Sequence, residues 1–195
     1  MNYPIDLSFK ILALASQIYV RDASGRLVAY VKQKLFKLRE DINVFADESQ
    51  TQLLYNIKAD RIIDFSGRYL FTDSKGKALG SVKRKGMPSI FKAHYEIYDP
   101  SGKQVMQINE ENPWVKVADA ILREIPLVGI LSSYVFHPSY LVSRVNEKQV
   151  ARLEKKPAFF EGKFQLTALE DLSSADEQLV LLSILMMTLL ERSRG

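Results

Sequence analysis

The stretch YLFTDSKGKALGSVK at 69–83 recurs with the same grammar at 18 (IYVRDASGRLVAYVK), at 95 (YEIYDPSGKQVMQIN) and at 140 (YLVSRVNEKQVARLE). Starts at 18, 69 and 95 leave one gap of 51 residues, about twice the other gap of 26, so a further unit is expected near 43. NVFADESQTQLLYNIK begins there, with Asp47, Leu54, Ile57 and Lys58 in the expected order and a slightly longer loop. Self-similarity at a fixed period means that one supersecondary unit is used repeatedly, and this constrains the fold more than any other feature of the chain.

The unit reads as a β-hairpin. In D-A-S-G, D-S-K-G and D-P-S-G an Asp opens the turn, where its carboxylate accepts backbone N–H groups, and Gly three residues later supplies the positive φ that a bulged hairpin closure needs. The copy at 140 has Arg144 and Glu147 at these two positions, and Asn146 is then the candidate for the left-handed residue. Alternation assigns the faces. Ile18, Tyr69, Tyr95 and Tyr140 precede by two residues Val20, Phe71, Ile97 and Val142, while Ala29, Gly80, Met106 and Ala151 precede Val31, Val82, Ile108 and Leu153. Period-two burial on both strands gives each hairpin one inward face. The mostly small residues at the Ala29 position imply that something bulky approaches the sheet there.

Further strand-like runs, KLFKL at 34–38, RIIDF at 61–65 and SIFKAH at 89–94, bring the count to roughly ten to twelve strands. That is too many for a flat open sheet in a chain of this length, and closure into a barrel removes the exposed edges. Two helices interrupt the pattern. NPWVKVADAILREIP has Asn112 as N-cap, Pro113 at the first helical position and an apolar face of Trp114, Val117, Ala118, Ile121 and Ile125, which predicts an amphipathic helix on the barrel surface or over one end. The second lies in SSADEQLVLLSILMMTLLERSRG, with Ser174 and Glu177 as a capping box and Arg192 and Arg194 complementing the C-terminal dipole. From Leu179 to Leu190 it is apolar on every face, so it is expected to be buried all round. Twelve residues span about 18 Å, short of the roughly 20 residues a bilayer requires. The expectation is that this helix threads the barrel. The fold class is mainly β: a closed antiparallel barrel of roughly twelve strands around a C-terminal hydrophobic helix, with one amphipathic surface helix, all in a single domain over 1–195.

Composition adds bounds. With 195 residues, 47% hydrophobic and 26% charged, the chain is an ordinary globular protein with one sizeable core. It has no Cys, which excludes disulfides and zinc–thiolate sites. MNYPIDLSFKILALASQIYV has no charged region ahead of its apolar stretch and no small-residue cleavage pattern, so it is read as part of the fold and the protein as cytoplasmic. Lys and Arg number 27 against 23 Asp and Glu, a small excess that permits anionic partners.

AYVKQKLFKLREDINVF at 29–45, the D-x-x-G-K hairpins, ENPWVKVADAILREIP and the wholly apolar terminal helix together resemble the LURP-one-related family, over nearly the whole chain. That family is grouped with the Tubby C-terminal domain and the phospholipid scramblases. The resemblance implies a twelve-stranded barrel closed around a central hydrophobic helix. On function it implies less. Tubby domains bind phosphoinositide headgroups through Lys and Arg, scramblases are implicated in lipid movement and calcium response, and LURP-one-related proteins are largely uncharacterised, with plant members linked to defence. No binding motif of these relatives matches position by position, and the scramblases' Cys-rich segment is absent, so no functional residue is carried over.

The candidate site is therefore argued from charge. Lys32, Lys58 and Lys83 follow the last inward residue of their units, Lys34, Arg84 and Lys85 lie beside them in basic stretches, and the expectation is a cationic rim that holds an anionic phospholipid or phosphoinositide headgroup. Lysines at strand ends also blunt edges and solubilise. The apolar run at 127–142 is either a buried strand completing the barrel or, through 127–137, a second candidate surface for a protein partner. Catalytic material is thin: His94 and His137 have no triad or metal spacing, Glu110 and Glu111 with Asp119 suit a helix dipole as well as a hard cation, and no phosphate loop or nucleophile elbow occurs. Basic stretches without a recognition helix or stacking strand give no case for nucleic acid. The sequence thus points to a non-enzymatic binding or scaffold protein without cofactor or metal, peripheral to an anionic membrane, or alternatively to a protein-interaction module with no lipid role.

Overall fold

The computed structural model describes residues 1–12, 15–34, 41–60, 67–85, 93–111, 138–157 and 162–192. Five hairpins supply ten strands: β2 (Ala15–Arg21) with β3 (Leu27–Lys34), β4 (Asp41–Phe45) with β5 (Leu53–Ala59), β6 (Arg68–Asp73) with β7 (Ala78–Arg84), β8 (His94–Tyr98) with β9 (Gln104–Glu110), and β10 (Ser139–Arg144) with β11 (Gln149–Lys156). The first strand, β1 (Ile5–Leu12), and the last, β12 (Gly162–Ala168), complete an antiparallel barrel in which neighbours in sequence are neighbours in the wall. Closure is made by β1 on β12, with Ile5 opposite Leu166 and Phe9 opposite Gly162. The expected strand number holds, and two of the strands come from the ends of the chain. Lys34 ends β3 and His94 opens β8, and the end of the apolar run at 127–142 enters β10 with Tyr140 and Val142 buried; 35–38, 61–65, 89–92, the expected surface helix at 112–126 and 127–137 lie outside the described residues.

The repeat fixes the reversals at one end. In every hairpin the residue three after the turn opener has positive φ and donates its N–H to the opener's carbonyl: Gly25 to Asp22, Gln50 to Asp47, Gly76 to Asp73, Gly102 to Asp99 and Glu147 to Arg144. The fifth hairpin thus corrects the sequence reading, because Glu147 at φ 67, and not Asn146, takes the left-handed position. The turn geometry prescribes the place, and the side chain there bears the cost. The opening carboxylates accept as expected: Asp22 Oδ1 takes the N–H groups of Ser24 and Arg26 and the Ser24 hydroxyl, and Asp99 does the same with Ser101 and Lys103.

Inward residues follow the predicted alternation. Ile18, Val20, Ala29 and Val31 of the first hairpin are buried, as are their counterparts in the other hairpins down to Val142, Ala151 and Leu153, except that Tyr55 at the Ala29 position of the second hairpin is half-buried. A barrel of eight strands is filled by its own side chains, so twelve strands enclose a lumen that needs a further element. The helix α1 (Ser174–Arg192) supplies it. Its residues from Leu179 to Thr188 are all buried, and its backbone comes closest to β7 and β8. Gly80 on β7 makes that approach possible: at φ +138, a Cβ there would overlap the Tyr98 carbonyl oxygen and lie 2.7 Å from Leu179 Cδ1. The cap differs by one residue from expectation. Ser173, not Ser174, is the N-cap, its Oγ accepting the Asp176 N–H, which leaves the Glu177 carboxylate to hold the Met1 ammonium at 2.6 Å.

Because consecutive strands alternate direction, the five tight turns and the start of α1 share one end of the barrel, here the turn end. The connections β1–β2, β3–β4, β5–β6, β7–β8, β9–β10 and β11–β12 share the other, the loop end, where α1 finishes.

Candidate functional site

The cations singled out from the sequence are placed by alternation. Val31, Ile57 and Val82 point inward, so Lys32 on β3, Lys58 on β5 and Lys83 on β7 point outward near the loop end. Lys32 and Lys58 are exposed and Lys83 is half-buried. Lys34 is the last residue of β3, on the same strand end. Lys85 also faces out, exposed, with its Nζ 2.9 Å from Glu96 Oε1. Strands in a sheet are about 4.8 Å apart, so cations on β3, β5 and β7 form a band about 20 Å wide on the outer wall and do not converge on one pocket.

Arg84 does not join them. The alternation that puts Val82 inside also turns Arg84 inside, where it is 6% exposed and its guanidinium lies 3.7 Å from Glu191 in the last turn of α1. Tyr95, opposite Arg84 on β8, donates its hydroxyl to the same carboxylate at 2.7 Å. Glu110 on β9 and Tyr140 on β10 are opposite each other and also buried at this mouth. Burial, then the carboxylates of Glu110 and Glu191, push the Tyr140 phenol well above its ordinary range. The sequence reading missed this polar mouth. Period-two counting from Val82 would have turned Arg84 inward, and Glu191 is the first charge after the apolar run of α1.

On the outer face of the same two strands Glu96 receives Lys85 and the Tyr98 hydroxyl, the latter at 2.8 Å, and the Arg68 guanidinium stacks 4.2 Å from the Tyr98 ring. Desolvation alone would raise Glu96. The hydrogen bonds from Lys85 and Tyr98 outweigh it and hold the carboxyl below its ordinary value. Glu111, a candidate for a hard cation, instead accepts from Arg152 and Ser139. No group of three or more acidic or histidine side chains placed to hold a metal ion occurs among the described residues.

Charge is segregated along the barrel axis. Among the described residues, with each strand divided at its midpoint and Glu96 counted with Lys85, the loop half carries twelve Lys and Arg against seven carboxylates, and the turn half eight against eleven. Among the described residues no helix is long and apolar enough to cross a membrane.

A twelve-stranded meander closed around a buried terminal helix defines the class of protein. Within it, the family model described as LURP-one-related matches residues 27–157, and the chain belongs to that family. An X-ray structure of an Arabidopsis thaliana protein is similar over 93% of this chain and 90% of its own, at 18% identity and a TM-score of 0.49. No curated protein matches the chain.

Proposed function

We propose that this LURP-one-related protein is a non-enzymatic binding protein, peripheral on the cytoplasmic face of a membrane, that associates with anionic phospholipid through its loop end. The observation that carries this reading is the segregation of charge, with the cationic excess on the half of the barrel that carries Lys32, Lys34, Lys58, Lys83 and Lys85. Each Lys or Arg near an anionic surface contributes about 1 kcal/mol within a Debye length of about 8 Å at physiological salt. A band of side chains, rather than a pocket, suits a surface of many headgroups, phosphoinositides included, better than one headgroup held in a fixed pose. Arg84 stands apart from this surface because its charge is spent on α1.

Co-sedimentation with vesicles of phosphatidylcholine alone, with phosphatidylserine, or with a phosphoinositide tests the reading. Binding to the anionic vesicles should fall as salt rises. Lys32→Glu with Lys58→Glu should weaken it at least tenfold, whereas Lys75→Glu with Lys77→Glu at the turn end should leave it within about twofold. Equal losses from both pairs would reduce the effect to net charge. Absence of binding to any vesicle would overturn the reading and leave a protein-interaction module, the alternative function, to be sought by pull-down.

A further inference from the structure

On β7 to β10 the inward residues at the loop end are Arg84, Tyr95, Glu110 and Tyr140. One step deeper, the inward residues Phe9, Ile18, Val31 and Ile42 of the opposite wall are apolar. A carboxylate in the last turn of a helix also opposes the macrodipole, so Glu191 requires a partner to stay where it is. The Arg84 guanidinium and the Tyr95 hydroxyl provide one, yet the contact is incomplete: the Arg84 Nε is buried without an acceptor. Buried polar networks of this kind are costly when partly satisfied, and apolar side chains would fill the same space at lower cost.

The two ends of α1 are held differently. At the turn end the Ser173 cap, the Arg144–Asp176 pair at 3.3 Å and the Met1–Glu177 pair at 2.6 Å fix the first turn. At the loop end Glu191 of the last turn is held by Arg84 and Tyr95, two residues that face each other on the strands nearest to α1. We infer that Arg84, Tyr95 and Glu191 form a latch that holds the last turn of α1 in the barrel mouth and lets that turn disengage locally while the rest of the helix stays in place. Arg84 is thereby a positioning residue for the helix end. The inference stands apart from the lipid reading, since the protein alone shows it.

Amide hydrogen exchange at physiological pH, read by mass spectrometry or NMR, is the test. The wild-type protein should exchange faster at 188–192 than at 179–183 by a sub-global opening. Arg84→Gln should speed the first group at least tenfold and leave the second within twofold, and Glu191→Gln should do the same. The double variant should be no worse than either single, because both remove one contact. Should Arg84→Gln fail to fold, Tyr95→Phe deletes the donated hydroxyl alone and should still raise exchange at 188–192 severalfold. The swap Arg84→Glu with Glu191→Arg should restore part of the protection. Uniform acceleration along α1, an unchanged profile in Tyr95→Phe, or strictly additive effects would each overturn the latch.

Discussion

At the turn end, four reversals are opened by an Asp and the fifth by Arg144, and each closes through a hydrogen bond over three residues onto a left-handed position. At the loop end the connections differ widely in length: β9 stops at Glu110 and β10 starts only at Ser139, while β11 stops at Lys156 and β12 starts at Gly162. The turn end encodes its geometry in the backbone, with carboxylates spent on local N–H groups. The loop end holds the excess of cations and, inside its mouth, the charges that meet the end of α1. On rigid scaffolds, loops of variable length are where binding is often placed. The difference teaches that one end of this molecule is committed to making the barrel, which leaves the other for the membrane contact proposed above.

The hardest test of that division strikes what both ends share, the plugged lumen. Gly80→Ala places a methyl group into the Tyr98 carbonyl and against Leu179, and L side chains rarely adopt its φ of +138. A loss of about 3 kcal/mol or more is expected, seen as aggregation on expression or as a collapse of the urea midpoint. Leu185→Asp, which buries an unpaired charge in the middle of α1, should be at least as severe. A stable, soluble Leu185→Asp protein would show that the helix is not a plug, and the comparison between ends would lose its axis.

Acid should dissect the two ends next. Asp22, Asp47 and Asp99 are held below the ordinary carboxylate range, first by hydrogen bonds from Ser24, Ser49 and Ser101. A depressed folded value means that the stabilisation is fully present above the unfolded value of about 3.9 and is lost as pH falls through the folded one. Stability should therefore be flat from pH 7 to about 5 and decline from about 4 downwards. Asp22→Asn should shallow that decline. A loss of stability centred near pH 6 would contradict the assignment of the acid response to the turns.

Legibility from sequence divides along the same line. The turn end was readable because its rule is local: Asp, three residues, positive φ, with Val20, Ala29 and their counterparts alternating beside it. The plug was readable because Leu179 to Leu190 has no polar face. Arg84 was misplaced among the surface cations because a run of three bases, Lys83 to Lys85, looks like one patch until the strand's alternation is applied to it. The latch partners were invisible for a different reason: Tyr95 and Glu191 are 96 residues apart and meet only when the barrel closes on the helix. The cap moved from Ser174 to Ser173 because two adjacent serines satisfy the same rule equally well in one dimension.

The smallest expected effect sharpens the account of the turn end most directly. Gln50 and Glu147 occupy the left-handed position that Gly25, Gly76 and Gly102 fill in the other hairpins, at φ 57 and 67. Holding a residue with a Cβ there costs roughly 1–2 kcal/mol, from which the greater chain entropy of an unfolded glycine, about 0.5–1 kcal/mol, must be subtracted. Glu147→Gly and Gln50→Gly should each therefore stabilise the protein by about 0.5–1 kcal/mol, a rise in Tm of about 2 °C for a chain of this size. Differential scanning calorimetry on the two single variants and the double decides it. The sites lie on hairpins on different parts of the wall, so the gains should add. A fall in Tm for Glu147→Gly would mean that this side chain does more than occupy a turn, and the fifth hairpin, the one that departs from the Asp rule, would then belong with the functional half of the molecule.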